Sequence, residues 1–495
     1  MQLSQKLIGF LFLSCTYLTV LAQKAPQPYG AIPTERQLAW QEKEMYVIMH
    51  FTPTTFQNKE WGFGDADPAI FNPSNFNAAK IVAAVKAGGF KGITVVAKHH
   101  DGFALWPTKS TAYNISKSPF RNGKGDLVKE MMDATHQAAL GFGLYCSPWD
   151  RNNANYSLPA YITDVYYKQL NELYTNYGQL HTAFYDGANG GDGYYGGANE
   201  KRSIDASTYY NYDKIWTIVR KMQPMATIFS DIGPDIRWVG NESGFAAETS
   251  WSTFTPVSPN KNKKPSPGYV VESTLPTGTR NGEFWTPAEC DVPLRPGWFY
   301  HPEQDGKTKT AAQLLDIYYQ SVGRSAALDL GIAPMPSGEL HPDDIKNMAE
   351  FGSIIQKTFA TNLAAGAKIK ASNTRGKSAL FAADKLIDHN RYSYWATDDS
   401  VHSAELLFQL KAKQKFNVIR LRENIKLGQR IEAVAVDAWI DNNWKEIAKA
   451  TSIGGNRLIR LSGAIETNQV RLRILQSPVC IALSDFGLFA EPNLK

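Results

Sequence analysis

The sequence predicts an α/β chain in two parts, a (β/α)8-like, TIM-type barrel followed by a C-terminal antiparallel β-sandwich. Three observations predict it. Short apolar runs recur as far as Ala360, with helix-like segments between them. Polar side chains gather at the C-terminal ends of those runs. From Ala364 onward the texture changes to short segments that alternate apolar and polar residues between turns.

The apolar runs are Met45–Phe51, Gly92–His100, Phe142–Trp149, Thr182–Asp186 and Thr227–Asp231, with Val270–Ser273 as a weaker sixth. Between them Asn77–Gly88, Leu127–Leu140, Thr163–Leu180 and Tyr209–Gln223 carry apolar residues at helical spacing. Near-continuous apolar strands imply burial on both faces, as in a parallel sheet. The runs end in His50, in His99 and His100, in Trp149 and Asp150, in Asp186 and in Asp231. A doubly wound sheet also binds ligands at that end, so the clustering fixes the location of a site more firmly than the topology. No strand is followed by a glycine-rich dinucleotide fingerprint, and Gly187–Gly197 reads as a flexible loop beside the site. Pro256–Pro267 reads as a long mobile loop. Pro342–Phe359 reads as the last helix, with Ile345, Met348, Phe351 and Ile355 along one side. Glu405–Leu410, Asn417–Arg422, Ala433–Ile440, Arg457–Leu461 and Gln469–Leu475 read as sandwich strands. The barrel domain is thus placed at 23–360 and the sandwich at 361–495.

With 43% hydrophobic and 20% charged residues among 495, the chain is neither disordered, nor fibrous, nor a multi-span membrane protein. The aromatic share of 12% suits sugar-binding clefts and aromatic cores alike. The net charge of +5 is scattered; its densest run, Lys261, Lys263 and Lys264, lies among Pro and Ser, so no nucleic-acid partner is expected. Residues 1–22 read as a signal peptide, with Lys6, the apolar run Leu7–Leu13 and a cleavage site at Val20-Leu21-Ala22. An exported protein, periplasmic or secreted and without a transmembrane segment, is expected. A lipid anchor at Cys15 ranks second, because Phe12-Leu13-Ser14 makes a poor lipobox. Cys146, Cys290 and Cys480 are too few and too odd in number for a disulfide framework, and buried thiols are expected for Cys146 and Cys480.

A carboxylate at a strand end in aromatic surroundings, such as Asp186 after Thr182-Ala183-Phe184-Tyr185, suits a nucleophile or base; a turn Asp before Gly187 is the plainer reading. Glu242 follows Trp238 in a loop and suits a general acid, since an aromatic neighbour raises a carboxyl pKa. Glu248 and Glu289 are rivals that spacing does not separate from it. In Lys98-His99-His100-Asp101 the histidines adjoin, which suits hydroxyl binding better than zinc. His50, Glu60 and Trp61 form a further polar and aromatic set, and Trp285, Trp298 and Tyr300 form another around Glu289, Asp291 and Arg295. No nucleophile-elbow Gly-x-Ser-x-Gly and no phosphate loop is present, which disfavours a serine hydrolase or an NTPase.

In order along the chain, Met49-His50-Phe51-Thr52, Glu60-Trp61-Gly62, Lys98–Trp106, Leu144–Trp149, Phe184-Tyr185-Asp186-Gly187, Asp231–Gly244, Gly282–Asp291 and Arg295–His301 resemble the α-L-fucosidases of glycoside hydrolase family 29. The resemblance covers Trp40–Gln356. It implies a (β/α)-barrel catalytic domain and a retaining mechanism, with Asp186 as nucleophile. The Arg237–Glu242 segment is similar to the subgroup that prefers branched α-1,3/1,4-linked fucose, as on Lewis-type glycans, and there the acid/base falls on Glu242. The resemblance further implies that His50, Glu60, His99 and His100 bind fucose hydroxyls, with Trp61, Tyr145 and Trp285 along the pocket wall. Its implied partners are fucosylated oligosaccharides or glycoconjugates, and it implies no cofactor for catalysis. Three features depart from the family pattern: Phe184-Tyr185 replaces Trp-Phe, Thr52 stands where Gly is usual, and Gly187–Thr208 is longer.

Ala383–Asp388 followed by Tyr394-Trp395-Ala396-Thr397 resembles the discoidin-like, galactose-binding-type (F5/8 type C) sandwiches. Some of these hold calcium in this loop, and Asp388 is the candidate ligand. Two alternatives stand beside the narrow reading. One is a broad α-L-fucosidase that also takes α-1,2 linkages and aryl fucosides. The other is a glycan-binding surface protein on an inactive barrel.

Overall fold

The computed structural model describes residues 24–492, so the expected signal peptide and Cys15 lie outside the described residues. Eight strands form a closed, all-parallel barrel: β1 Met45–Met49, β2 Gly92–Lys98, β3 Gly141–Cys146, β4 Thr182–Phe184, β5 Thr227–Ser230, β6 Ile236–Trp238, β7 Ala288–Pro293 and β8 Ala327–Ile332. The β1–β8 ladder, running from Met45 opposite Leu328 to Met49 opposite Ile332, closes it. Every residue of β1, β2, β7 and β8 is buried, because the outer face lies under helices and the inner face fills the barrel.

The first five strands fall on the five apolar runs. The sixth does not: Val270–Ser273 belongs to a long connection, with Val270 buried in a satellite cluster with Phe254 and Leu275. The true sixth strand, Ile236–Trp238, follows β5 after residues 231–235 alone, with no crossover helix. A parallel pair ordinarily needs a crossover of a dozen residues or more. Here the chain doubles back so that Asp235 N–H meets Ile228 O at 3.2 Å before climbing again. The buried Asp235 carboxylate accepts from Ile228 N–H at 2.7 Å and pairs with Arg36 at 3.1 Å and with Arg220. Arg36 belongs to the helix Glu35–Gln41, which thus docks beneath the strand pair that lacks a crossover helix.

Two expected mobile loops are tied down. Within Gly187–Gly197 the segment Gly190–Gly193 pairs antiparallel with Glu200–Ser203, and Arg151 binds Asp192 through its backbone oxygen (2.7 Å) and its carboxylate (2.9 Å). In the 256–270 loop Lys263 pairs with Asp205 at 2.8 Å and Ser266 Oγ donates to Ala206 O at 2.7 Å. Gly268 N–H donates to Asp231 at 2.6 Å. Gly268 has φ +71°, and a Cβ there would lie 1.8 Å from Asn189 Nδ2, so only glycine lets the two loops meet.

The second domain is antiparallel: β9 Lys368–Ala371, β10 Trp395–Ala396, β11 Ala404–Glu423, β12 Ala433–Ile440, β13 Asn443–Ala450, β14 Arg457–Gln476 and β15 Ala482–Phe489. The order is β10-β15-β11-β14-β12-β13, with β9 on β11. Two pairs of expected short strands prove to be the halves of β11 and of β14, which bend at register shifts near Gln409–Gln414 and Phe416–Val418. Arg457 and Arg324 grip Glu248, Arg422 grips Glu44 and Arg391 grips Glu42. Glu42 and Glu44 precede β1 and Arg324 precedes β8, so the sandwich braces the barrel near the N-terminal ends of its strands. Cys146, Cys290 and Cys480 are free and buried. No helix among the described residues is long and apolar enough to cross a membrane.

Asp388 accepts from Asn390 N–H at 2.9 Å and from Ser393 Oγ at 2.8 Å, with Lys385 Nζ at 3.9 Å. No group of three His, Cys, Asp or Glu able to hold a metal forms among the described residues. Calcium takes about six to eight oxygens.

The helices Ala78–Ala87 and Pro342–Phe359 touch through Gly352, where a Cβ would lie 2.3 Å from Ala87 O. Gly352→Ala is expected to force the helices apart and cost about 1–3 kcal/mol, the usual toll of overpacking. A thermal unfolding midpoint equal to that of the parent chain would contradict this close approach.

Candidate active site

A cleft of about 230 Å³ opens at the C-terminal ends of the strands, lined by Ile48, His50, Glu60, Trp61, His99, His100, Tyr145, Phe184, Asp186, Glu242, Asp291 and Trp298. It brings together eight of the side chains singled out from the sequence: His50, Glu60, Trp61, His99, His100, Tyr145, Asp186 and Glu242. Parallel strands explain the convergence, since each delivers its last inward residue to the same rim.

In the Lys98–Asp101 segment the four side chains split by direction. Lys98 turns away from the cleft to Gln169 (2.8 Å), Tyr161 (3.0 Å) and Asp150 (3.3 Å). Asp101 accepts from Thr52 at 2.8 Å and Thr54 at 3.1 Å, tying the β2 loop to the β1 loop; burial raises its pKa to about 6. Thr52, one of the departures from the family pattern, is therefore a strut. The two histidines face the cleft with ring centroids 4.1 Å apart.

Burial keeps all three cleft imidazoles neutral. His50 is lowered to about 3, chiefly by burial and then by His100. His99 is lowered well below its ordinary value, and His100 is lowered despite the opposing pull of Asp186. The His100 tautomer follows from its partners. Ser147 Oγ donates to Trp149 O at 2.8 Å, so the contact at 2.7 Å to His100 Nδ1 must be an N–H donated by the ring. Nε2, 3.8 Å from Asp186, then carries a free lone pair for a hydroxyl.

Asp186 follows β4 and is held from two sides. Ala188 N–H donates to Oδ1 at 2.7 Å and the Tyr145 hydroxyl donates to Oδ2 at 3.2 Å. Glu242 sits across the cleft in the loop after β6. Partial burial raises its pKa, the neighbouring charges of Asp186 and Glu60 raise it further, and a hydrogen bond from Trp298 opposes them. Glu60 accepts from the backbone N–H groups of Trp298 and Phe299 and from His301 Nε2 at 2.9 Å, so it anchors the β7 loop as well as facing the cleft. Trp61 is 51% exposed at the mouth, packed edge-on against His100 and Trp149.

The two rival acids lie elsewhere. Glu248 is bound by Arg457 and Arg324 at the domain junction. Glu289 is buried inside the barrel beneath the cleft, where the Tyr46 hydroxyl donates to it. Trp285 does not join the wall: it precedes β7, its carbonyl accepts from Gln37 and its indole N–H donates to Gln41 at 3.1 Å, at the opposite end of the barrel. The indole that joins Trp61 in the wall is Trp298, admitted by Gly331, where a Cβ would lie 2.6 Å from the Trp298 ring. In sequence Trp298 and Trp285 fall in one aromatic group; only the register of β7 separates a residue before the strand from one after it. Asp291 stands in the same group in sequence, and its inward position on β7 reaches the cleft.

A second lobe of about 250 Å³ adjoins the first and shares Phe184, Asp186, Glu242 and Asp291 with it. Its remaining walls are Gly187, Phe229, Asp231, Trp238, Gly268 and Glu272.

Residues 28–358 match the family model "Alpha-L-fucosidase", and residues 368–485 match "F5/8 type C domain". Alpha-L-fucosidase 1 of Arabidopsis thaliana is 36% identical, covering 99% of this chain and 94% of its own. A glycoside hydrolase 29 family member from an unknown rumen bacterium superposes with TM-score 0.82 at 35% identity, covering 95% of this chain and 79% of its own. A Ruminococcus gnavus family 29 fucosidase solved in complex with fucose superposes with TM-score 0.83 at 28% identity, covering 95% and 97%. With the barrel, the cleft and these matches in agreement, the chain belongs to the α-L-fucosidases of glycoside hydrolase family 29 and carries a C-terminal F5/8 type C domain.

Proposed function

We propose that this α-L-fucosidase is a retaining exo-enzyme that works outside the cytoplasm on terminal α-1,3/1,4-linked L-fucose of branched, Lewis-type glycans. The observation that carries the reading is that Asp186 and Glu242, from different strand ends, wall the same two-lobed cleft. Fucose enters the lobe of neutral imidazoles and indoles, where His50, His99 and His100 accept its hydroxyl protons and Trp61 and Trp298 cover its apolar face. The second lobe gives room for a branched leaving sugar.

An Asp186 oxygen attacks the anomeric carbon as the bond to the leaving oxygen breaks, and Glu242 gives its proton to that oxygen. Glu242, now a carboxylate, takes a proton from water, whose oxygen displaces Asp186 and frees fucose. The raised pKa of Glu242 supports its part, since an acid must hold its proton at working pH. Tyr145 and the Ala188 amide hold Asp186 in one orientation for attack.

Asp186→Gly is expected to abolish turnover, and azide to restore cleavage of an activated aryl fucoside with formation of β-L-fucosyl azide. An α-azide, or wild-type-like turnover without azide, would overturn the nucleophile assignment. On the native glycan Glu242→Gln is expected to lower kcat/KM by about 10²–10⁴-fold, the usual share of a general acid. A Lewis-type trisaccharide should release fucose faster than 2′-fucosyllactose; equal rates would favour the broad specificity.

Glu242 must be protonated in the free enzyme, so kcat/KM falls as pH rises through its pKa. Trp298→Phe removes the N–H that favours the carboxylate, so the alkaline limb is expected to move to higher pH. A limb that stays in place would assign it to another group.

A further inference from the structure

The second lobe is lined by Asp186, Asp231, Glu242, Glu272 and Asp291, and no Lys, Arg or His is among its lining residues. Asp291 bridges the two lobes, is 9% exposed, and its Oδ1 has no hydrogen-bond partner. A buried carboxyl oxygen left without a partner in a binding cavity is a place for a ligand hydroxyl. Trp238 and Phe229 add aromatic surface, so the lobe suits a sugar ring that presents hydroxyl groups.

We propose that this lobe is a charge filter on the leaving group, admitting neutral or cationic sugars and excluding those that carry a carboxylate or a sulfate. The inference rests on the fucosidase reading, in which Asp186 and Glu242 sit at the junction between fucose and leaving sugar. An anion in the lobe would face the carboxyl groups of Asp186 and Asp231, just beyond β4 and β5, and of Glu272, without a cation among the lining residues to offset them. Asp231 is already under that pressure: burial, then the charges of Asp186 and Glu272, lift its pKa to about 7 against a hydrogen bond from Gly268. The Tyr212 hydroxyl on the neighbouring helix is driven further into its neutral form by burial and by Asp231. An anionic leaving group therefore has to bring protons with it, and its exclusion relaxes as pH falls through 7.

The test uses the full chain and one branched fucoside in three forms that differ in the acyl group on the amino sugar bonded to fucose: N-acetyl, N-succinyl (anionic) and N-glycyl (cationic). At pH 7.5 the anionic form is expected to have kcat/KM at least about tenfold below the neutral form, and the cationic form to match or exceed it. The anionic-to-neutral ratio should rise as pH falls to 5.5. Asp231→Asn with Glu272→Gln should bring that ratio to within about threefold of unity at pH 7.5. Equal kcat/KM for all three forms in the wild-type chain would overturn the filter while leaving the fucosidase reading intact. A wild-type gap that neither pH nor the double variant narrows would assign it to size and overturn the filter too. Failure to cleave any of the three would strike the reading on which the filter rests.

Discussion

Closure of the barrel by the β1–β8 ladder is the constraint on which the rest of the site depends. Once Tyr46 lies opposite Asp329, and Asp329 opposite Asp291, the inward positions of β1, β8 and β7 are fixed as a row. Barrel strands tilt against the axis, so such a row climbs as it passes around the wall. It starts at the floor, where Trp40 donates to the Tyr46 hydroxyl, and ends at Asp291 in the cleft. The same ladder puts Gly331 beneath the Trp298 ring and His50 just beyond β1, its amide donating to Ile332 O at 3.0 Å. A register slip of one residue would turn His50 and Asp291 out of the barrel together.

That row carries an unusual load. Glu289, Asp291 and Asp329 lie together in the barrel interior, and no hydrogen bond or ion pair from a Lys, Arg or His reaches any of the three. Burial raises all three well above the ordinary carboxyl range, and for Glu289 and Asp291 mutual repulsion adds to it. Burying an ionised carboxylate without a partner is costly enough that the group keeps its proton instead. Held neutral, the trio keeps charge from accumulating directly under Asp186 and Glu242. Apolar residues would pack such a floor at lower cost, and residues that break a local rule of this kind cluster at functional sites.

The sequence made the first five strands, the flanking helices and most of the cleft legible, because each strand kept its apolar run and its polar end. Asp186 and His99 were visible for the same reason. The sixth strand was not, because its three residues follow a five-residue turn in place of a helix, and Asp235 does the joining through a buried ion-pair cluster that periodicity cannot register. Trp285 and Trp298 look alike in sequence, and only the span of β7 sets them at opposite ends of the barrel. The loops at Gly187–Gly197 and 256–270 have the composition of flexible segments, yet Arg151, Lys263 and Gly268 tie them down across distances in sequence that no local pattern reports. In the second domain the halves of β11 and β14 read as separate strands because a bulge interrupts the alternation on which the reading relied.

The two lobes of the cleft solve opposite problems with the same rim of strand ends. In the proposed reading one recognises a small neutral sugar by its hydroxyls without donating a proton to it, and burial suits this by keeping three imidazoles neutral, so that His100 offers a bare Nε2. With Asp186 as the proposed nucleophile, a charged histidine there would pull on it at 3.8 Å and compete with the anomeric carbon for its electrons. In the proposed mechanism the other accepts the leaving group as Glu242 gives up its proton, and partial burial, with the charges of Asp186 and Glu60, favours keeping that proton on Glu242 until an oxygen arrives to take it. Asp186 and Glu242 stand where the two environments meet, which is where a substrate bond that joins a fucose to its leaving sugar would have to lie.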